Sequence, residues 1–267
     1  MTTATAQTDG RAVVGKPTAH HDDRTLPHRW LRVVRLHYSD LTGMLVTTPV
    51  TFALLTLFSV AVYLVLQAYV VPAETDLSQF FRGNMGVLWM LPGFLASVGA
   101  FSYVRTMPYA VGMLGCTRGE YWRGTLVWAL LQATYSAAVV VVFLVLEQAT
   151  GTWFTDGARV FDVATLGDGH LGTAALVAFC VGLASLLLGG CIAIAWLRWK
   201  QWGVIGGLLI LAVVLLGGAT LLLALGADVM GFLAEDALLK LSSLVLAVAA
   251  AAALLSRLLL GRAPVAR

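Results

Sequence analysis

Charge is what this sequence has little of. Only 12% of its 267 residues are charged, where a soluble domain carries about 25%. So few charges cannot solvate a water-facing surface, which excludes a soluble globular fold and leaves lipid as the solvent. Cysteine is scarce too. Cys116 falls in a polar loop, while Cys180 and Cys191 share one apolar segment. Eleven positions along a helix set that pair about 16 Å apart, too far to bridge. Neither a disulfide framework nor a metal-ligand spacing is present. The first apolar run begins near Met44, so no removable signal peptide is expected.

Catalytic motifs are missing as well. Gly10 to Lys16 repeats the G-x-x-x-x-G-K spacing of a phosphate loop, but Pro17 stands where Ser or Thr would hold magnesium. Proline also has no N–H to offer phosphate, so this chain is not expected to hydrolyse ATP. His20, His21, Asp22, Asp23 and His28 crowd a polar stretch that reads as solvated tail rather than a metal site. Within the apolar runs no ionisable residue lies near a midplane, which argues against a proton relay. G-x-S-x-G and H-E-x-x-H are absent and His170 falls in a loop, which argues against an intramembrane protease. No bound cofactor, metal or nucleic acid is expected.

What the sequence does have is long apolar runs, with 59% hydrophobic residues and a mean hydropathy of +0.86. A hydrocarbon core of about 30 Å needs roughly 20 apolar residues in a helix. Six runs qualify: Met44–Val71, Val87–Val104, Thr125–Leu146, Thr173–Leu197, Gly203–Ala227 and Ala237–Leu260. None alternates over ten residues, so the spans are helices rather than barrel strands. Fourteen of the 17 Lys and Arg fall before Met44, between the second and third runs, between the fourth and fifth, or from Arg257 onward. Arg82, Arg159 and Lys240 make up the other side, where Glu147, Asp156, Asp162 and Asp168 fall in one outer loop. The expectation is an all-α membrane protein with six transmembrane helices over 44–260 and both termini cytoplasmic. Lys240 and Arg257 bracket the last span at about 25 Å of rise, and Trp196, Trp199 and Trp202 form an aromatic anchor.

Residues 1–25 and 261–267 read as cytoplasmic tails, the first of them disordered. Over 26–43 an amphipathic pattern appears: Trp30, Val33, Val34, His37, Tyr38 and Leu41 share one face, and Arg29, Arg32, Arg35 and Ser39 the other. A basic amphipathic helix just before a span is expected to lie along the membrane surface. The loop 105–124 carries its own signals. Thr106 suits a cap, Pro108 a first helical turn and Gly115 a left-handed end, predicting a short helix over Met107–Leu114. Thr117 and Glu120 then form a capping box that opens the third span. A short helix so held could act as a lever for a soluble partner; the plainer reading is a connecting loop.

The polar groups inside the spans are neutral. Gln67, Gln132, Thr134, Tyr135 and Ser136 could line a path for an amphipathic substrate, or simply hydrogen-bond between helices. Gly203 and Gly207, joined by Gly217 and Gly218, suit close helix packing or a dimer seam. Pro92 and Gly93 predict a kink in the second span.

The stretch SYVRTMPYAVGMLGCTRGEYWRGTL resembles the region before the third span of bacterial ABC-2-type permeases, with matches at Leu114, Gly115, Thr117, Arg118, Tyr121, Gly124 and Thr125. GGCIAIAWLRWKQWG, at the end of the fourth run, is a weaker match. The resemblance implies an export permease in a bacterial cytoplasmic membrane, paired with a second copy or paralogue and driven by separate ATPase subunits that bind ATP and magnesium. It also implies that Met107, Pro108, Tyr109, Val111 and Leu114 belong to a coupling helix, flanked by Arg118, Glu120 and Arg123. The loop Asp228–Asp236 is too short for the elaborate re-entrant hairpin often found there in that family. A six-span scaffold or sensor without transport is the alternative.

Overall fold

The computed structural model describes residues 29–70, 77–83, 86–224 and 237–261. The tail 1–25 with its phosphate-loop spacing and histidine cluster, the loop Asp228–Asp236 and the C-terminal residues 262–267 lie outside them. Among the described residues every regular element is helical: α1 (Arg29–His37), α2 (Leu41–Val65), α3 (Leu77–Gly83), α4 (Leu91–Met107), α5 (Arg118–Phe154), α6 (Leu171–Ala224) and α7 (Ala237–Gly261).

Among the described residues four helical stretches are long and apolar enough to cross a membrane: Met44–Tyr69, Arg118–Phe154, Leu171–Gly203 and Lys240–Gly261. The expected second span corresponds to α4, whose 17 residues rise about 26 Å. The boundary expected between the fourth and fifth spans falls at Lys200, which leaves helical backbone at φ 51 and ψ −140 inside α6.

The first part of α6 is the axis of the bundle. Its most apolar window is 78% buried, against 22% for those of α2 and α7, which instead present Leu57, Phe58, Leu254 and Leu258 outward. Small residues bring α4 onto it. A Cβ on Gly99 would lie 2.3 Å from the Leu186 carbonyl oxygen, and one on Gly189 2.0 Å from that of Ala96, so the backbones touch where no side chain fits. The close packing expected at Gly203 and Gly207 is not seen among the described residues. Gly207 has open space around it, and the atoms nearest a Cβ at Gly203 belong to Ala195 and Trp199, across the break in its own helix.

Proline acts differently from the expectation. Pro92 sits in the first turn of α4, where its missing N–H costs nothing, so it starts that helix instead of bending it. Pro49 is the proline inside a helix, and it removes the donor that the Leu45 carbonyl would have received. The Tyr135 hydroxyl of α5 donates to that carbonyl at 2.5 Å.

The end opposite the arginines is more built than a polar loop. Glu147 is not in that loop; it lies in α5 and is fully buried. Residues 151–153 turn left-handed and bring Trp153 back, so its Nε1 donates to the Glu147 carboxylate at 3.0 Å. The backbone N–H groups of Val160 and Phe161 donate to the same carboxylate at 3.1 and 2.9 Å. A buried carboxyl group is tolerated only with such partners. Helix α3 packs Phe81 against Tyr63, and Arg82 donates from Nε to Asp168 at 2.8 Å.

Candidate functional site

Two features meet at the arginine-rich end, and a second apolar cluster fastens them together. Val33 of α1, Tyr103 and Met107 of α4, Cys116, Tyr121 of α5, Ile194 of α6 and Leu260 of α7 are all buried in it. The cysteine assigned to a polar loop is therefore inside, and burial pushes its thiol above the ordinary range.

The first feature is the turn between α4 and α5. No separate capped helix forms over Met107–Leu114. Helix α4 runs on without a break into a wide turn over Pro108–Met113, and Thr106 makes no cap. Its hydroxyl donates one turn back to the Ser102 carbonyl at 2.7 Å. The wide turn closes as the Leu114 N–H donates to the Tyr109 carbonyl at 2.9 Å. Gly115 then takes the left-handed conformation expected of it, and the Cys116 N–H reaches the Ala110 carbonyl at 3.0 Å. The capping box is present in full: Glu120 N–H donates to Thr117 Oγ1 at 3.2 Å, and Thr117 N–H to Glu120 Oε2 at 2.8 Å.

Fixed at both ends, the turn presents an apolar knob. Tyr109 is 53%, Met113 78% and Leu114 41% exposed, while Met107 faces inward and Val111 packs partly against the cluster. Met113 is missing from the residues picked by sequence, although it follows Tyr109 at the i, i+4 spacing of one helix face. Arg118 turns away from the knob. Its guanidinium donates to the Gly261 carbonyl, a cation at the C-terminus of α7 where the helix dipole favours it. Trp122 Nε1 fastens the same helix, donating to the Ala253 carbonyl at 3.1 Å and the Ser256 hydroxyl at 3.2 Å. Arg123 remains on the exposed side.

The second feature is a cavity of about 320 Å³ between α1, α2, α4 and α5. Its polar wall includes His37, Thr47, Ser97, Ser102, Arg105 and Gln132, and its apolar wall Leu36, Met44, Phe94, Val98 and Phe101. Above it α1 is docked by its apolar face. Val33 lies so near Gly124 that a Cβ there would meet it at 2.6 Å. The face expected to rest on lipid is thus largely spent on protein, although Leu31 stays exposed.

His37, 4% exposed, anchors this contact. Its Nε2 lies 3.1 Å from Thr125 Oγ1 and its Nδ1 2.5 Å from Ser102 Oγ. The Thr125 hydroxyl donates to the Tyr121 carbonyl, so it accepts from the ring, and Ser102 donates to Nδ1. One proton on Nε2 satisfies every group. The ring stacks on Trp128 at 4.5 Å, and burial pushes its pKa down to about 3. Tyr121 OH and Thr106 Oγ1, 2.9 Å apart, join the network to the turn.

Of the polar residues expected along a substrate path, Gln132 lines the cavity. Ser136, one turn on, is buried and has no hydrogen-bond partner among the described residues. Tyr135 serves the Leu45 carbonyl, Thr134 bonds back to its own helix at Leu130, and Gln67 is exposed near the far end of α2. Among the described residues no group of three His, Cys, Asp or Glu is placed to hold a metal ion. Compared with protein-family models, curated proteins and solved structures, the chain matches none.

Proposed function

We propose that this chain is the transmembrane subunit of an ABC-2-type exporter in a bacterial cytoplasmic membrane. On this reading it has six spans, both termini lie inside, and it pairs with a second permease copy or a paralogue. Separate ATPase subunits bind ATP and magnesium and supply the work. The observation that carries the reading is the exposed knob of Tyr109, Met113 and Leu114, standing out at the arginine-rich end of the bundle. A large apolar side chain left in water is a binding surface when it is rigidly held. This one is continuous with α4 on one side and is closed on the other by the left-handed Gly115 and the Thr117–Glu120 box. Force applied to the knob passes through Thr106 and Tyr121 into α4, α5 and the docked α1, the walls of the cavity. Arg118 and Glu120 act as internal supports of this lever, since their donors and acceptors are engaged within the chain.

The test is purification of the full chain from its own membranes in mild detergent. A phosphate-loop ATPase subunit is expected to travel with it. Met113→Asp and Tyr109→Asp are expected to release that subunit while leaving the chain inserted and monodisperse. Retention of the ATPase by both variants refutes the knob as the contact. Absence of any nucleotide-hydrolysing companion refutes the exporter reading and leaves the scaffold or sensor.

A further inference from the structure

The cavity under α1 is unlike the rest of this apolar bundle. It opens toward the surroundings of the bundle, since Phe101, which lines it, is exposed on the outer side of α4. Among the described residues no Asp or Glu lines it, and Arg105 at its α4 end is already engaged by another group of the chain. His37 is neutral, its ring shared between Ser102 and Thr125. The cavity therefore offers an incoming molecule no spare charge. Met44, Phe94, Val98 and Phe101 give it an apolar track.

Two polar groups in it have nothing to do inside the protein. Gln132 of α5 and Thr48 of α2 are each 1% exposed, and both line the cavity. Among the described residues neither side chain has a hydrogen-bond partner. The other hydroxyls of the lining are committed: Ser102 to His37, Thr106 to the Ser102 carbonyl, Ser97 to the Phe94 carbonyl, and Thr47 elsewhere in the chain. The bond from Tyr135 to the Leu45 carbonyl ties α5 to α2 close by, three residues along the chain from each of the two. Buried polar groups without partners are costly, and an occupant carrying hydroxyl or carbonyl groups removes the cost. Gln132 stands about 21 Å along α5 from Arg118, within the span Arg118–Phe154. An ionised head is expensive at that depth, so the occupant's polar group is neutral. About 320 Å³ lies at the small end of ligand cavities, which suits one chain rather than two.

We propose that this cavity binds a neutral single-chain amphipath from the surrounding membrane, such as a monoacylglycerol. Its hydroxyl or ester groups meet Gln132 and Thr48, and its chain lies along Phe94, Val98 and Phe101 toward the opening. The two unpaired side chains select for a neutral hydrogen-bonding head, and the lack of a spare charge selects against an ionised one. The inference rests on the chain's seat in a membrane and not on the exporter reading.

Native mass spectrometry of the full chain in detergent and alkaline buffer tests it, with monoolein, oleate and phosphatidylcholine added in turn. One monoolein is expected to stay bound. Oleate, the same chain with an ionised head, and phosphatidylcholine, with a zwitterionic one, are expected to be lost. Gln132→Leu and Thr48→Val nearly keep side-chain size, and each is expected to weaken monoolein retention about fivefold, the scale of one neutral hydrogen bond. Ser97→Trp, which fills the cavity from an exposed position, is expected to abolish it. Leu57→Ala, exposed on α2 outside the cavity, leaves it unchanged. The proposal is overturned by oleate or phosphatidylcholine held as firmly as monoolein, or by retention of none of the three. Monoolein binding unaltered in both Gln132→Leu and Ser97→Trp overturns it as well. An ATPase that fails to co-purify leaves this result untouched.

Discussion

Acidification from pH 7 to pH 5 should loosen α1 from the bundle, and His37 sets the size of the effect. In water an imidazole titrates near 6.5, whereas burial among Ser102, Thr125 and Trp128 pushes His37 down to about 3. The docked state therefore holds fewer protons than the undocked one throughout this range. Its stability is fully present above the undocked value and is lost as pH falls from about 6.5 toward 3. Between pH 7 and pH 5 the linkage amounts to about 2 kcal/mol, or roughly 25-fold in the docking equilibrium. Hydrogen–deuterium exchange of the α1 amides, corrected for the intrinsic pH dependence of exchange, measures it. Protection over Arg29–His37 should fall by that factor, and in His37→Gln it should no longer change with pH. Constant protection in the parent chain, or the same fall in His37→Gln, refutes the reasoning.

The Tyr135 bond to the carbonyl freed by Pro49 is testable as a double-mutant cycle. Tyr135→Phe should cost about 1 kcal/mol in detergent unfolding, and close to nothing once Pro49→Ala has restored the helical N–H to Leu45. An equal cost in both backgrounds would show that the hydroxyl and the proline are not coupled. For the contact of α4 with α6, Gly189→Ala must push the Ala96 carbonyl aside and should lower the stability by at least about 2 kcal/mol. Gly207→Ala, with open space around it, should leave the melting temperature unchanged.

How much could be read in advance depended on how local each cause was. The Thr117–Glu120 box and the left-handed Gly115 need only neighbours three or four positions away, and both formed as the residue types required. The division of the long apolar stretch at Lys200 was legible for the same reason, because charges and tryptophans interrupt the hydrophobic run there. The turn Pro108–Met113 was read as a separate helix because a proline after a threonine signals a start. It became a continuation of α4 because Thr106 found its acceptor in the turn behind it. Glu147 was assigned to a solvated loop by its place at the end of a span. Its burial depends on Val160 and Phe161 folding back over it, and no window on the sequence contains that return.

The sequence by itself determined that this chain belongs in lipid, where helices form and on which end the basic residues gather. These follow from hydropathy and charge, which each residue carries wherever it goes. Tertiary structure alone decided which polar groups met. His37 pairs with Ser102 across 65 positions and Arg118 with Gly261 across 143. A cavity exists only between helices, so its walls have no signature in any one of them.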